Sequence, residues 1–293
     1  MVFEATHLHR LHTLIATNTE SRGLDKLPPS QDLEQAALDL WEAKRVLLLT
    51  GFVIAAHKIG ETDGPPGTLG LALALDRLSK ATCIVSDKYS LEALQQAIPL
   101  LPWQHTPRVI CLEQGSEELI SYNLLSQFNP DHIVAIERPG QNAAGRYHSM
   151  SGADFSHLVP DSDLLLHLAR QQGIAITAIG DGGNEVGMGK IRDFVEQHVP
   201  YGETIGAAFA ADHLIVAGIS NWGAAALAAL LSLSAKRQLM PDVAQEREVI
   251  EALCEAGLVD GATRSRSLSV DGMPLDDYLK VYEAIYSVSL SQA

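Results

Sequence analysis

The chain has 293 residues, of which 46% are hydrophobic, so it can bury the core of one large α/β domain or of two small ones. Its 36 acidic residues outnumber its 21 lysines and arginines, which gives a formal net charge of −15. A field of this sign does not attract phosphate backbones or anionic bilayers, so we expect neither nucleic acid nor a membrane as a partner.

The sequence predicts a cytoplasmic protein without a membrane anchor. The longest run of small apolar residues, 223–233, is well short of the ~20 residues that a bilayer-spanning helix needs, and it predicts a buried helix instead. The N-terminus carries Glu4 and three histidines and lacks the apolar core of a secretory signal. The cysteines lack CxxC spacing and are predicted to be buried free thiols in a reducing compartment; they are Cys83, Cys111 and Cys254.

The first part of the chain is predicted to be an arm. Residues 1–29 mix histidine, threonine and asparagine, and they end in Leu27-Pro28-Pro29, where proline stops any preceding element. Ser30 or Asp32 is then predicted to cap a helix, because apolar residues follow at helical spacing. We expect residues 30–293 to form a single α/β domain.

Six short apolar runs, rich in β-branched residues, alternate with helical patterns. They are apolar almost throughout, as strands covered on both faces must be, and therefore predict a parallel sheet. The fold predicted is a doubly wound, mostly parallel sheet with helices on both faces, a Rossmann-like three-layer architecture. The predicted strands are 45–52, 81–87, 108–113, 132–137, 174–181 and 213–219, and the predicted helices are 68–79, 90–98, 116–127, 161–172, 221–237, 242–256 and 276–290.

Polar loops follow the predicted strands, and the carboxyl ends of parallel strands meet at one edge, where such sheets bind ligands. After the first strand, the loop GETDGPPGTLG places Glu61 and Asp63 before a predicted helix. The charge in this loop favours a role in a cleft over the alternative, a tight connector in which Asp63 only makes a turn.

The loop GDGGNEVGMGK follows the fifth strand and is predicted to turn sharply or to approach a ligand closely, because of its glycines. It is not a P-loop, since Ile191 follows Lys190 where serine or threonine is required. The alternative is a strained turn capped by Asp181. The candidate residues of this loop are Asp181, Gly182, Gly183, Asn184 and Glu185.

The loop after the fourth strand carries the candidate anchors for an acidic substrate. Arg138 or Arg146 is expected to bind a carboxylate in bidentate fashion, with Asn142 nearby, whereas the alternative is an internal salt bridge of Glu137 with arginine. Ser220-Asn221 is predicted to cap the following helix whether or not it also binds a ligand. It binds an anion only if the N–H groups at the start of that helix are free. His57, His148 and His213 lack metal-ligand spacing and are more often structural in such positions.

Clustered carboxylates at this edge suggest a hard divalent cation, Mg²⁺ or Mn²⁺, because oxygen ligands suit it and unpaired acids repel one another. Asp181 and Glu185 are the metal ligands predicted, and no organic cofactor is expected. The carboxylates that would share the edge are Asp63, Asp87, Glu137, Asp181 and Glu185.

Several of these motifs together resemble the D-glutamate cyclase C-terminal-like family, formerly a domain of unknown function. The resemblance covers residues 45–260, and DGGNEVGMG is its most specific part. It implies a hydro-lyase that converts D-glutamate to 5-oxo-D-proline and water. The motifs are TGF at 50–52, ETDGPPGT at 61–68, ERPG at 137–140, GDGGNEVGMG at 180–189 and SNWG at 220–223.

Cyclisation requires the substrate's amine to lose a proton and its γ-carboxyl to lose an oxygen. We expect Arg138 or Arg146 to anchor the α-carboxylate, and Glu137 or Asp63 to shuttle protons. The Gly182-Gly183-Asn184 amides, or a metal on Asp181 and Glu185, would stabilise the oxyanion. On this reading Asp181→Asn and Arg138→Ala each abolish turnover with little loss of thermal stability.

Two other functions remain open from the sequence. One is a nucleotide- or phosphate-binding enzyme that uses the loop 180–190 with Lys190. The other is a non-catalytic amino-acid-binding domain that is accessory to a separate hydro-lyase. The partner expected in each catalytic case is a small acidic substrate, with homo-oligomer formation left open.

Overall fold

The computed structural model describes residues 3–28 and 30–291, and its centre is a six-stranded parallel sheet. The strands of the chain are β1 (Arg45–Thr50), β2 (Val53–Ile54), β3 (Ile59–Gly60), β4 (Ala81–Ser86), β5 (Arg108–Cys111), β6 (His132–Ile136), β7 (Ala175–Gly180), β8 (His213–Val216), β9 (Ser269–Val270) and β10 (Met273–Pro274). The large sheet has the order β5-β4-β1-β6-β7-β8, and each of its strands was predicted from the apolar runs. The short strands pair as two separate antiparallel hairpins.

Alternate residues of each strand face opposite sides of the sheet and sort the apolar side chains into two cores. In β1, Val46 and Leu48 belong to one core, whereas Leu47 and Leu49 belong to the other. Because helices cover both cores, the sheet is the middle of three layers, and the predicted α/β three-layer fold is confirmed.

The predicted helices are present with shifted ends. Prolines are tolerated in the first turn of a helix, so one helix begins at Pro65, three residues before the predicted start. Three short or early helices had not been predicted, at residues 5–15, 192–198 and 202–205. The helices are α1 (Ala5–Ile15), α2 (Asp32–Glu42), α3 (Pro65–Arg77), α4 (Leu91–Ala97), α5 (Glu117–Asn123), α6 (Asp163–Gln171), α7 (Arg192–His198), α8 (Gly202–Ile205), α9 (Ser220–Ala235), α10 (Val243–Glu255) and α11 (Leu275–Leu290).

The segment before residue 29 packs against the sheet domain over its described part, 3–28. Helix α1 contacts α9 and α11, and its Leu11 and Ile15 lie in the same core as Val46 and Leu48 of β1. The carbonyl of Ile15 accepts a hydrogen bond of 2.7 Å from the amide of Gly218, just before α9. Residues 1, 2 and 29 of the predicted arm lie outside the described residues, and the domain boundary at 29 stays a prediction.

The winding of the sheet reverses between β1 and β6. From β1 the chain moves outward to β4 and β5 on one side, and it then returns to β6 and continues to β7 and β8 on the other. The crevice beyond the carboxyl ends of β1 and β6 is therefore the place where doubly wound sheets bind ligands.

The cysteines only partly match the prediction. Cys83 is buried, and burial raises the pKa of its thiol to about 11. Cys111 and Cys254 are also free, but they are half-buried, because Cys111 lies on the edge strand β5 and Cys254 near the end of α10. Across residues 3–28 and 30–291, no helix combines the length and apolar character needed to cross a membrane.

A buried glutamate in the helical layer gives the fold a predictable pH dependence. Glu246 on α10 is 2% exposed and accepts a hydrogen bond of 2.6 Å from the Tyr278 hydroxyl on α11. Burial raises the pKa of Glu246 from 4.5 to about 7, although the tyrosine hydroxyl acts in the opposite direction.

Between pH 4.5 and 7 the folded state therefore holds a proton on Glu246 that the unfolded state has lost. Stability falls as the pH rises through this window, by about 1.4 kcal/mol per pH unit for one proton. We expect Glu246→Gln to be more stable than the wild type by about 3 kcal/mol at pH 8 and to match it near pH 4. Urea unfolding at both pH values measures the difference.

Glu248→Gln, an exposed substitution on the same helix, is the control and should follow the wild type at both pH values. An equal pH dependence in Glu246→Gln and wild type would contradict the buried-proton account.

Candidate functional site

A cavity of about 610 Å³ opens at the carboxyl ends of β1 and β6. Its walls come from the loop after β1, the loops after β6 and β7, the turn before residue 23, and the C-terminal segment 261–271. The polar and charged side chains that line it are Ser21, Arg22, Glu61, Glu137, Ser149, Ser151, Asn184, Glu185, Arg264 and Asp271.

Buried carboxyl groups form the floor of this cavity. Asp63 and Asp181 lie immediately behind its lining, and each is at most 2% exposed. One oxygen each of Asp63, Asp181 and the lining residue Glu137 lie within 4.8 Å of one another. With Glu61, Glu185 and Asp271, six carboxyl groups are therefore gathered at the predicted edge, which we call the acidic floor.

Asp63 is held by the N-terminus of α9. Its Oδ1 accepts from the amides of Asn221 and Gly64, both at 2.9 Å, and its Oδ2 accepts from the amide of Ser220 at 2.8 Å. Asp63 therefore caps α9. This corrects the prediction that Ser220-Asn221 supplies the cap, since the helix already begins at Ser220.

Asn221 caps α3 in return. Its Oδ1 accepts from the amides of Gly64 and Gly67, at 2.9 and 2.8 Å. The two helices thus cap each other across the floor, and Asn221 is engaged in that contact rather than lining the cavity.

Glu137 is aimed at the floor by a strained backbone. Its φ of 45° lies in the left-handed region, which glutamate seldom adopts, and its Oε2 accepts a hydrogen bond of 2.6 Å from Ser220 Oγ. Gly64, at φ 97°, passes so close that a Cβ there would lie 2.8 Å from the Cβ of Glu137. Only glycine fits this approach.

The loop after β7 closes on itself. The amides of Gly182 and Gly183 donate to the two carboxylate oxygens of Glu185, at 2.9 and 2.7 Å. These amides are therefore engaged within the loop, and the structure does not offer them as the predicted oxyanion-stabilising donors.

Two side chains in this loop have buried oxygens that accept no hydrogen bond within the described residues. Asp181 Oδ1 and Oδ2 and Asn184 Oδ1 are buried and accept no hydrogen bond from any residue in 3–28 or 30–291. Asn184 is fixed by its amide nitrogen, which donates to the carbonyl of His148 at 2.8 Å. Buried oxygens without a hydrogen-bond donor suit a cation or a proton donor.

Arg22 and Asp271 join the site from the two ends of the chain, and sequence reasoning missed both. Arg22 Nη2 lies 3.4 Å from Asp181 Oδ2 and forms an ion pair with Asp271. Asp271 stands in the hairpin turn between β9 and β10 with φ 54°, and its side chain is 4% exposed. The Asp-Gly pair at 271–272 is a turn signal, but nothing local connects that turn with Asp181.

Burial raises the pKa of every carboxyl group in the acidic floor. The pKa values of Asp63 and Asp181 rise to about 7, and burial is the main cause in both. The pKa values of Glu61, Glu137 and Asp271 are held well above their usual range by burial and then by neighbouring carboxylates, and that of Glu185 is raised chiefly by burial. Near neutral pH the floor must therefore hold protons or positive charge.

Arg138 lies outside the cavity, although it was the predicted anchor. It is fully buried, and its guanidinium donates to Asp87 at 2.6 Å, to Ser162 at 3.1 Å and to the carbonyls of Gly51 and Pro160 at 3.0 and 3.1 Å. All its nitrogens are thus engaged inside the protein. The internal salt bridge considered as the alternative exists, but its acid is Asp87 instead of Glu137.

The other predicted substrate contacts also lie away from the cavity. Arg146 is 60% exposed and faces Asp154 at 3.6 Å. Asn142 stabilises a turn by accepting from the amides of Ala144 and Arg146. Of the residues predicted to bind substrate, only Glu61 lines the cavity.

The candidate histidines and Lys190 do not line the cavity. His213 pairs with Asp39 at 2.7 Å, His148 approaches Asn142 at 3.4 Å, and His57 is exposed. Lys190 forms an ion pair of 2.6 Å with Asp32 beside a separate cavity of about 320 Å³. The loop 180–190 therefore does not bring Lys190 to the acidic floor, which disfavours the nucleotide-binding alternative.

The acidic floor fits a divalent cation. Asp63, Glu137 and Asp181 each offer one oxygen within the 4.8 Å grouping, and oxygen ligands suit Mg²⁺ and Mn²⁺. Glu185, which was predicted as a ligand together with Asp181, stands outside this group of three oxygens. Asp87 is absent from it because it pairs with Arg138.

The fold and site define a three-layer α/β protein with a buried acidic pocket at the switch point of a doubly wound sheet. The chain matches the family described as "D-glutamate cyclase-like, C-terminal" over residues 11–286, and it belongs to that family. It is 30% identical to the human mitochondrial D-glutamate cyclase over 321 residues, which cover 97% of this chain and 52% of the relative. The chain thus spans about half the length of that relative.

A more distant similarity is to the crystal structure of an exopolyphosphatase-related protein from Bacteroides fragilis. The TM-score is 0.42 at 11% identity, with 91% of this chain and 59% of that chain covered. This similarity is too remote to indicate a function.

Proposed function

We propose that this protein is an enzyme, a lyase that converts D-glutamate to 5-oxo-D-proline and water. The observation that carries the proposal is the acidic floor beneath a 610 Å³ cavity at the switch point, in a member of the D-glutamate cyclase-like family. Such a floor attracts the ammonium group of a small amino acid. The similarity to a protein named D-glutamate cyclase supplies the expected substrate.

The reaction balances without a co-reactant. The ammonium loses a proton, and the nitrogen lone pair attacks the γ-carboxyl carbon to form the ring C–N bond. One γ-oxygen then leaves with two protons as water, and the ring nitrogen keeps one hydrogen. The substrate already provides proximity, so the protein has to fold it, move protons and stabilise charge.

We assign the two proton transfers to Asp271 and Glu61. Burial and the neighbouring Asp181 hold the pKa of Asp271 well above its usual range, but its ion pair with the Arg22 guanidinium acts against this shift and favours the ionised carboxylate that accepts the ammonium proton. Glu61 is 6% exposed and has no such ion pair within 3–28 and 30–291, so it retains a proton to donate to the leaving oxygen. The shuttle role predicted for Asp63 is less suitable, because three backbone amides hold its carboxylate.

We also propose that Asp63, Glu137 and Asp181 hold Mg²⁺ or Mn²⁺. When bound, the cation would supply positive charge for the oxygen that becomes negative as the amine attacks. The ligand set is pre-arranged, since Asp63 is fixed by α9 and Glu137 by Ser220. A cytoplasmic location and homo-oligomer formation stay predictions.

The test is turnover by the metal-stripped protein with D-glutamate, with and without Mg²⁺ or Mn²⁺. We expect 5-oxoproline with either metal and at least about 100-fold less with EDTA. Equal product with EDTA would contradict the cation site but not the cyclase. Binding of D-glutamate without product would instead favour the accessory domain, and activity restored by a second protein would support that alternative further.

A further inference from the structure

Unlike Arg138, Arg22 has N–H groups that donate to no acceptor among the described residues. Arg22 lines the cavity with its side chain 19% exposed. Its Nη2 serves Asp271 and lies near Asp181, whereas Nε and Nη1 make no hydrogen bond to the residues of 3–28 and 30–291. A guanidinium has five N–H donors in a fixed plane, so Arg22 retains the geometry for bidentate binding of a carboxylate.

The segment that carries Arg22 is fixed on both sides of it. Before Arg22, the backbone of Thr17 lies very close to Gly218. A Cβ added to Gly218 would lie 1.7 Å from the Thr17 carbonyl oxygen. After Arg22, Leu24 packs with Val195 and Val199 in a small apolar cluster. The position of the guanidinium is therefore set by packing, as a binding site requires.

An α-amino acid carries its ammonium and α-carboxylate on one carbon, so the protein groups that receive them must be neighbours. Arg22 satisfies this condition, because its Nη2 lies 3.4 Å from an oxygen of the acidic floor. The other arginine lining the cavity, Arg264, is exposed on the loop 261–271.

We propose that Arg22 binds the α-carboxylate of the amino-acid substrate and selects substrates that possess one. The assignment rests on the proposed function and adds the residue that orients the substrate. With the α-carboxylate on Arg22 and the ammonium on the acidic floor, the γ-carboxyl is left free to fold back toward the amine.

The test compares D-glutamate with γ-aminobutyrate, which has the same amine and γ-carboxyl but lacks the α-carboxylate. Wild type should prefer D-glutamate, and Arg22→Gln should lower kcat/KM for D-glutamate by about 10- to 100-fold more than that for γ-aminobutyrate, because any effect on the paired Asp271 is common to both compounds. Arg22→Lys should recover part of the preference, because it keeps the charge but loses the planar fork. Arg10→Gln, an exposed arginine on α1, is the matched control.

Equal losses for both compounds in Arg22→Gln would show a merely structural role and overturn the proposal. If Arg22→Gln keeps the wild-type rates and the wild-type preference for D-glutamate over γ-aminobutyrate, the Arg22 assignment alone is contradicted. If wild type turns over neither compound, the proposed function fails. In that case calorimetry measures the affinities of wild type and Arg22→Gln for D-glutamate and γ-aminobutyrate. The ratio of the two affinities, compared between the two proteins, then decides the assignment.

Discussion

Asp181→Asn is expected to lower kcat/KM for D-glutamate by at least about 1,000-fold while the protein stays folded. Asp181 belongs to the three-carboxylate group, and both of its oxygens are buried without a hydrogen-bond donor in the described ranges. Asparagine keeps the shape but removes the charge that would hold a cation. Steady-state kinetics together with calorimetric titration of Mn²⁺ measure both effects.

Little stability should be lost, because the substitution also removes one negative charge from a crowded acidic floor. The melting temperature is expected to stay within a few degrees of wild type or to rise. Asp193→Asn, an exposed substitution on α7, is the control and should keep full activity and full Mn²⁺ binding. Wild-type kinetics in Asp181→Asn would contradict the role of the acidic floor.

Arg138→Met is expected to destabilise the protein by about 3–5 kcal/mol. Its guanidinium is fully buried and donates to Asp87, to Ser162 and to two carbonyls, so its removal leaves Asp87 charged and unpaired in the interior. This replaces the expectation from sequence that removing the Arg138 side chain costs activity alone. Urea unfolding measures the change in the free energy of unfolding.

Arg146→Met provides the comparison, since Arg146 is 60% exposed and its ion pair with Asp154 spans 3.6 Å. It should change the free energy of unfolding by no more than about 0.5 kcal/mol. The double variant Arg138→Met, Asp87→Asn should recover part of the loss, because it leaves no uncompensated charge. If Arg138→Met lowers the free energy of unfolding by less than about 1 kcal/mol, the Arg138–Asp87 pair does not stabilise the fold as expected.

The sheet could be predicted because each of its strands is recognisable from a few consecutive residues. Each strand is a short apolar run, and parallel winding brings all the carboxyl ends to one edge. Asp63, Glu137 and the pair Asp181 and Glu185 follow three different strands and were placed together on that basis alone. The structure brings one oxygen each of Asp63, Glu137 and Asp181 within 4.8 Å of one another. Burial is the main cause of the raised pKa values of Asp63 and Asp181.

The details of the site depend on contacts that no local pattern contains. Arg22 and Asp271 are 249 residues apart and meet only through the packing of α1 and of the β9–β10 hairpin. Arg138 follows β6 as a substrate anchor should, but its guanidinium points inward and donates to Asp87 after β4, two strands away in the sheet. Which side of a loop a charged side chain faces is decided by its partners, and these lie far away in sequence.

Turnover measured with resolved enantiomers tests the central claim most directly. Purified protein is incubated with D-glutamate or L-glutamate in the presence of Mn²⁺, and 5-oxoproline is separated by chiral chromatography. Our account predicts many molecules of 5-oxo-D-proline per protein molecule from D-glutamate and none above the spontaneous rate from L-glutamate. Product at the spontaneous rate from both enantiomers would contradict it.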